Sequence, residues 1–406
     1  MQYQKSVKNN VCSSSSLRDC TGCGICAAVC PTEALNMSLD EDGFYFPHLE
    51  DNKCVECGLC LKSCYKFDNN LISTNQSLLC YAAVNKNKLQ LKSSSSGGIS
   101  VLLMEECINQ GYKVFGCMYD TNDHRAKSVI VDNTKNLDLF YGSKYFQSYT
   151  TSGFKEIIND KSGQKYAIFG TPCQIYAFSK TKKYQAFPER YLLVDIFCHG
   201  CPSMKLWRSY LENVQQDTNI QKFDKITFRS KTLGWHEFCF DFYKNQNIYT
   251  SSHKNNFFYD IFFNMDIMNK ACYNCNSRSS MGYGDIRLGD FWGNKYDLNI
   301  EGVSAVVLKT EKGVLLFNSI KNKMVYEECT LDDILMGQSY GKEHTYDNDR
   351  RHYLLANLGT DKLKNITEKY ISMFPLKMRI KRNLKIIIKS LPQHLYLPIK
   401  KLLHSI

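Results

Sequence analysis

Two runs of cysteines near the start of the chain have the residue type and the spacing to bind metal. Eight of the 19 cysteines fall between residues 20 and 64, with the same intervals in both runs. They are Cys20, Cys23, Cys26 and Cys30 in CTGCGICAAVC, and Cys54, Cys57, Cys60 and Cys64 in CVECGLCLKSC. Three soft thiolates with two residues between each pair, on a loop with small residues such as Gly22, Gly24 and Gly58, can surround one cube of iron and sulfide. The fourth cysteine starts a turn that points away, so it is expected to reach the neighbouring cube.

This spacing is that of the bacterial two-cluster ferredoxins, in which the fourth cysteine of each run binds the other cluster. We therefore expect one 4Fe–4S cluster on Cys20, Cys23, Cys26 and Cys64, and a second on Cys54, Cys57, Cys60 and Cys30. A C-x2-C pair also serves zinc. Two matching four-cysteine runs favour clusters over a pair of zinc sites.

Composition and charge restrict the class of protein. A chain of 406 residues suggests two or three domains. The first ten residues have no apolar signal-peptide core, and no apolar run approaches the ~20 residues that span a bilayer. The cysteines are therefore expected to serve metals and redox chemistry in the reducing cytoplasm. Residues 371–406 hold eight Lys/Arg and no Asp/Glu, which leaves a net charge of +3 out of +11 for the rest of the chain. Because the positive charge is concentrated in the tail, a nucleic-acid partner for the whole protein is not expected.

The chain divides into four regions by composition and pattern. We expect a flexible N-terminus at 1–19, a small ferredoxin-like domain at 20–66, a larger domain at 78–345 and a helical region with a basic tail at 346–406, with a polar linker over 66–76. Within the larger domain, strands are predicted at 81–85, 112–119, 127–132, 165–170 and 191–198. Helices are predicted in the second half of 93–111, after Pro202 and Ser203, and over 255–269. The fold class is α+β or α/β, with a mixed sheet.

The loop SSSSGG at 93–98 is placed between a strand and a helix. Serine hydroxyls, glycines and a helix N-terminus together form a phosphate cradle. An ordinary helix cap explains the same loop equally well. Further distinctive stretches follow it, namely GSKYFQS (142–148), GTPCQIYAF (170–178), DIFCHGCPS (195–203), FRSKTLGW (228–235), CYNC (272–275) and GDIRLGDFWG (284–293).

In this order, the cysteine runs and these motifs make residues 20–310 resemble the coenzyme F420 hydrogenase/dehydrogenase beta-subunit family. The resemblance implies an iron–sulfur flavoprotein, with FAD in the larger domain, a cluster beside it and a two-electron small molecule at the flavin. The family name does not identify that substrate.

The flavin assignment is made on two loops. Ser95, Ser96, Gly97 and Gly98 are expected to hold the pyrophosphate, and Gly142, Ser143, Lys144 and Tyr145 supply the second loop. Lys144 would neutralise phosphate or reduced flavin; the alternative is a solvated surface lysine. Asp290 in GDFWG is expected to be structural.

Four further cysteines stand in turn-like segments at strand ends. They are Cys173, Cys198, Cys272 and Cys275. Strand ends of an α/β sheet converge on one edge, where cofactors bind, so together with the resemblance they predict a third 4Fe–4S cluster. A structural zinc site remains the alternative. His199 is either a proton donor at the flavin or a packed side chain, and Cys201 is expected to be a buried or spare thiol.

The tail has the pattern of a basic amphipathic helix. Its apolar face comprises Leu376, Ile380, Leu384, Ile387, Ile388 and Leu391, and the adjacent stripe comprises Lys377, Lys381, Lys385 and Lys389. Such a helix lies peripherally on an anionic membrane or on an acidic partner, or it packs on its own domain with its lysines solvated.

Together these features predict an oxidoreductase that passes electrons between 4Fe–4S clusters and a two-electron substrate through FAD. Its partner is expected to be a ferredoxin or another redox subunit. The alternatives are a non-catalytic electron-transfer subunit and a scaffold that metal merely stabilises.

Overall fold

The computed structural model describes residues 9–13, 19–67, 78–251 and 256–389. Most of the expected flexible N-terminus and linker, and the tail from residue 390, lie outside the described residues.

The N-terminal module is built from two similar halves. It contains helices α1 (Ile25–Ala28) and α2 (Leu59–Ser63) and the antiparallel strands β1 (Leu35–Leu39) and β2 (Tyr45–Leu49). Gly24 and Gly58 precede the two helices with φ of +77° and +69°, a conformation that costs glycine little. Each glycine therefore lets the cysteine loop turn directly into a helix that carries the next cysteine, Cys26 or Cys60.

The larger domain is a mixed sheet covered by helices. Its strands are β3 (Leu79–Asn85), β4 (Tyr112–Asp120), β5 (Arg125–Val131), β6 (Ser148–Tyr149), β7 (Lys165–Phe169), β8 (Tyr191–Ile196), β9 (Lys225–Ser230), β10 (Cys239–Lys244), β11 (Asn247–Thr250), β12 (Ile286–Asp290), β13 (Ser304–Leu308) and β14 (Met324–Cys329). Its helices are α3 (Lys88–Ser93), α4 (Ile99–Asn109), α5 (Thr151–Asn159), α6 (Pro172–Ser179), α7 (Lys182–Ala186), α8 (Met204–Thr218), α9 (Phe257–Phe262), α10 (Glu311–Ser319) and α11 (Leu331–Leu335). Helices α12 (Asn348–Asn357), α13 (Leu363–Ser372) and α14 (Leu376–Lys389) follow. The predicted mixed α/β architecture is confirmed.

The main sheet has nine strands in the order β14-β3-β13-β12-β8-β7-β4-β5-β6. Its centre, β12-β8-β7-β4, is parallel, and the strands on both sides of it are mostly antiparallel. The apolar runs of β7 and β8 are buried on both faces, as expected of parallel strands between helices. The carboxyl ends of β7 and β8 lead directly into the segments of Cys173 and Cys198.

A buried ion cluster joins the central strands. Asp195 of β8 accepts hydrogen bonds from Arg287 of β12 at 2.7 and 2.8 Å and from Lys309 at 3.2 Å. Both side chains of the Asp195–Arg287 pair are 0% exposed. This cluster fixes the end of β8, three residues before Cys198.

A smaller sheet of β9, β10 and β11 packs with α8 and α9 around an aromatic core. The helix predicted over 255–269 is correct only for Phe257–Phe262. The chain leaves the helix because Met265 is left-handed, with φ +67°, and because 267–269 pairs with 201–203 instead. Periodicity of apolar residues alone did not reveal that competing pairing.

The N-terminal module docks directly on the main sheet. The Gln147 side chain accepts from the Tyr45 backbone N–H and donates to the Thr21 carbonyl, both at 2.8 Å. Thr150 Oγ1 donates to the Cys23 carbonyl at 2.6 Å. A Cβ at Gly24 would stand 2.5 Å from that same hydroxyl. The cysteine loop therefore lies in backbone-level contact with the larger domain.

Candidate functional site

Two cavities of the module are lined by cysteines. One is lined by Cys20, Cys23, Cys26 and Cys64, and the other by Cys30, Cys54, Cys57 and Cys60. These are the two crossed sets that the ferredoxin spacing predicts. Cys57 and its neighbours Val55 and Glu56 are exposed, whereas Cys23 and Cys26 are buried. The cavity that Cys57 lines therefore faces solvent and is called the exposed cavity. The cavity that Cys23 and Cys26 line faces the larger domain and is called the inner cavity.

The inner cavity brings buried thiols together. Burial, with repulsion from neighbouring thiols, raises the pKa of Cys20 and of Cys64 to about 12. Bound metal deprotonates such thiols outright. The Gly22 N–H also donates to Cys20 Sγ at 3.3 Å, which stabilises negative charge on that sulfur. Soft donors, buried and converging, fit a 4Fe–4S cluster.

The four cysteines predicted to hold the third cluster come together at the edge of the main sheet that is formed by the carboxyl ends of its central strands. Cys173 lies in the first turn of α6 after β7, and Cys198 follows β8. Cys272 and Cys275 come from a turn that lies against residue 200, where a Cβ would be 3.5 Å from Cys272 Cβ. Burial raises the pKa of Cys272 to about 12, with added repulsion from Cys198 and Cys275. Burial followed by repulsion from Cys275 likewise raises the pKa of Cys173.

Cys201, expected to be a buried or spare thiol, is buried in the same group. Burial raises its pKa, and Cys198, Cys272, Cys173 and Cys275 all add to the shift. A backbone hydrogen bond from Cys201 also reaches the Cys272 thiol. The sequence indicated this grouping, since Cys198 and Cys201 form a C-x2-C pair like Cys272 and Cys275.

Among the described residues, no three or more His, Cys, Asp or Glu side chains are grouped so as to hold a single metal ion.

Tyr65 lies between the inner cavity and this third group. Burial raises its pKa, and repulsion from Cys173, Cys275 and Cys23 adds to the shift. Its ring is 4.9 Å from that of Tyr176. The three cysteine groups are therefore arranged in series, from the exposed cavity through the inner cavity to the sheet edge.

The two loops expected to hold FAD meet. The Ser143 N–H donates to Ser95 Oγ at 2.8 Å. Ser96 Oγ donates to the Val303 carbonyl, and a Cβ at Gly97 would stand 2.3 Å from the Ala83 carbonyl oxygen. Gly97 is thus required for packing between β3 and β13, while Gly98, with φ +77°, starts α4. The loop follows the short helix α3 rather than a strand directly.

Lys144 is a structural lysine rather than a solvated one. Its ammonium donates to the carbonyls of Cys117, Leu139 and Tyr141 at 3.0, 3.3 and 2.9 Å. Burial lowers its pKa to about 8. It therefore ties the 142–145 loop to β4 and to the segment that precedes the loop.

Two other cations, which local sequence pattern did not assign to the site, adjoin the serine loop. Arg229 is buried, with φ +55°, and donates to Tyr145 Oη at 2.8 Å and to the Asp290 carboxylate at 3.3 Å. Lys231 Nζ donates to the Ser96 carbonyl at 2.5 Å. Both belong to the FRSK motif, whose spacing alone indicates no role. Asp290 also accepts a hydrogen bond from Trp235 Nε1 at 2.7 Å. Its role is structural, as expected, because it orients Arg229.

Aromatic rings extend from Arg229 toward the third cysteine group. The Arg229 guanidinium lies 4.0 Å from the Phe238 ring centroid, and Phe238 stacks with Trp292 at 5.6 Å. At the far end, the His199 ring is 5.4 Å from Phe262 and 5.3 Å from His344. Within the described part of the chain, Nε2 of both histidines is buried without a hydrogen-bond partner. His199 Nδ1 lies 2.8 Å from Ser339 Oγ.

Lys231 gives a prediction for pH dependence. Burial lowers its pKa from the usual 10.5 to about 7, against a smaller opposing effect of Asp290. Between pH 7 and 10 the unfolded chain therefore binds a proton that the folded chain does not, so this residue makes stability rise with pH. The measurement is the free energy of unfolding in urea, for cofactor-free wild type and for Lys231→Met. The difference, wild type minus variant, should increase from pH 7 to 10.

The exposed Lys92 supplies the matched control, Lys92→Met, which should show no such change. Equal pH profiles for the two variants would contradict the prediction.

Comparison with known proteins gives two matches to family models. Residues 163–334 match the C terminus of the coenzyme F420 hydrogenase/dehydrogenase beta subunit, and residues 19–68 match the 4Fe-4S dicluster domain. An uncharacterised protein of Methanocaldococcus jannaschii is 23% identical over 44% of this chain, and the match spans 56% of that relative's length.

A solved chain of the F420-reducing [NiFe] hydrogenase complex from Methanosarcina barkeri is 19% identical, covers 74% of this chain and 94% of that one, and has a TM-score of 0.44. Likeness at that level carries no argument about fold or function. The family matches support an iron–sulfur, electron-transfer role. The resemblance seen in the sequence is confirmed, in that these two stretches match the models of the 4Fe–4S dicluster domain and of the C terminus of the coenzyme F420 hydrogenase/dehydrogenase beta subunit.

Proposed function

We propose that the protein is an iron–sulfur flavoprotein oxidoreductase, with three 4Fe–4S clusters and FAD. The observation that carries the proposal is the serial arrangement of the three cysteine groups. The last group adjoins a region where two serine loops, two buried cations and stacked aromatic rings come together. The cluster ligands proposed for the module are the two crossed cysteine sets that line its cavities.

The third cluster is assigned to Cys173, Cys198, Cys272 and Cys275, with Cys201 beside it. The zinc alternative requires all ligands to converge on one ion, whereas the thiolates of a 4Fe–4S cluster bind four separate irons. Arg278, whose guanidinium donates to the Cys272 carbonyl at 2.7 Å, supplies positive charge beside these thiols. Its nearness favours a group of net negative charge, such as a cluster with four thiolates.

The FAD site is assigned to the two serine loops and the residues between them. Ser95, Ser96, Gly98 and Ser143 would offer hydroxyl or backbone donors to the pyrophosphate, and Arg229 and Lys231 would offset its charge. Phe238, Trp292 and Phe262 would contact the flat ring. FAD supplies the conversion between single electrons and electron pairs.

The two ends of the series suggest where partners bind. A ferredoxin or another redox subunit would dock at the exposed Cys57 end of the module, where Val55 is 63% exposed. A small two-electron substrate would bind toward His199 and His344, whose unpartnered Nε2 atoms could hydrogen-bond to it. The cytoplasm, with its reducing conditions, is the proposed location.

The test is anaerobic purification of the full chain with cofactor analysis. We expect about twelve irons, an equal amount of acid-labile sulfide and one FAD per chain. Reduced ferredoxin alone should then reduce the bound flavin. Zinc in place of iron and sulfide, or protein that never binds FAD, would contradict the proposal. Bound flavin that is reduced only when a further protein is added would favour the non-catalytic electron-transfer subunit.

A further inference from the structure

Helix α14 is fixed on the body of the protein by one side. Arg382 donates to the Asp260 carboxylate at 2.7 Å, and Ile386, one turn later, is half-buried. At 3.6 residues per turn, Arg382 and Ile386 lie about 40° apart around the helix axis. This side of the helix therefore faces α9, which carries Asp260.

The opposite side of the helix carries apolar residues that face solvent. Leu376, Ile380 and Leu384 recur every four residues and are 65%, 51% and 53% exposed. Leu384 and Ile380 each lie about 160° around the axis from Arg382, and Leu376 about 120°. Contact with the body thus orients the apolar stripe outward instead of covering it.

Basic residues flank the stripe on both sides. Arg379 lies on one flank, and Lys377 and Lys381 lie on the other; all three are exposed. Residues 371–406 contain eight Lys/Arg and no acidic residue. A second copy of this helix would meet the first with like charges, so self-association through this face is disfavoured. Anionic lipid headgroups above an apolar interior match both the charge and the stripe.

We propose that α14 lies in the headgroup boundary of an anionic membrane and holds the protein there. Leu376, Ile380 and Leu384 enter the apolar boundary, and Lys377, Arg379 and Lys381 contact the headgroups. Among the described residues, no helix is long and apolar enough to cross a membrane. This role is independent of the redox chemistry proposed above.

The test is co-sedimentation of the full chain with phosphatidylcholine vesicles that contain about one third phosphatidylglycerol. Wild type should sediment with them, and more weakly at high salt. The triple variant Lys377→Gln, Arg379→Gln, Lys381→Gln should lose at least about tenfold in affinity. The triple variant Leu376→Ser, Ile380→Ser, Leu384→Ser should lose a similar factor.

The matched control removes the same charge elsewhere, at the exposed Lys92, Lys135 and Lys161, each changed to Gln. It should bind as wild type does, and far-ultraviolet circular dichroism should show that all variants are folded. Equal binding of wild type to pure phosphatidylcholine, or equal loss in the control, would overturn the proposal. So would dimerisation in gel filtration that the leucine and isoleucine changes abolish without any vesicle binding.

Discussion

Cys272→Ser should lower the iron content of the anaerobically purified chain by about four per molecule, from about twelve to about eight. Serine keeps the size of the side chain but replaces a soft thiolate with a hard, mostly protonated hydroxyl. The two cysteine sets of the module are left intact, so their iron should remain. Iron and acid-labile sulfide analysis measures the change, and bound flavin should persist.

Cys201→Ser is the matched control for that variant. Cys201 is buried in the same group and would lose the same atom, yet it is not an assigned ligand. Its iron content should therefore equal that of wild type. Loss of four irons from Cys201→Ser, with iron retained in Cys272→Ser, would show that the ligand set is wrong.

Asp195→Ala should destabilise the larger domain by about 3–5 kcal/mol, because it leaves two buried cations without the carboxylate that pairs with both. Arg287 and Lys309 both donate to this one carboxylate, and neither side chain is more than 1% exposed. The measurement is the free energy of unfolding in urea under anaerobic conditions. Glu327→Ala, which breaks an exposed pair with Lys295, should leave the unfolding midpoint nearly unchanged. Equal effects of the two variants would contradict the view that this cluster holds the central strands.

What the sequence predicted well depended on short-range spacing. The crossed cysteine sets follow from intervals of two and three residues, and the structure places each set around one cavity. The start of α8 directly after Ser203 was predicted from a local motif as well. Such signals are contained within a few residues, so one sequence suffices to detect them.

What the sequence did not predict depended on contacts between distant segments. Arg229 is held by Tyr145 and Asp290, which lie 84 and 61 residues away. Asp195 meets Arg287 from 92 residues away. The helix expected over 255–269 ends early because residues near 267 pair with a segment that follows β8. Local pattern contains no information about such competing partners.

The docking of the N-terminal module has a consequence for how electrons would travel. Thr150 and Gln147 hold the first cysteine loop by hydrogen bonds to its backbone, and Cβ atoms at Gly22 and Gly24 would collide with these side chains. Cys23 and Cys173 belong to the same packed cluster of side chains. Electron transfer between the groups that contain Cys23 and Cys173 would then need no movement of one domain toward the other. Solvent viscosity, which slows collective domain motion, would leave this internal step unchanged, whereas the arrival of a diffusing partner at the Cys57 end would slow.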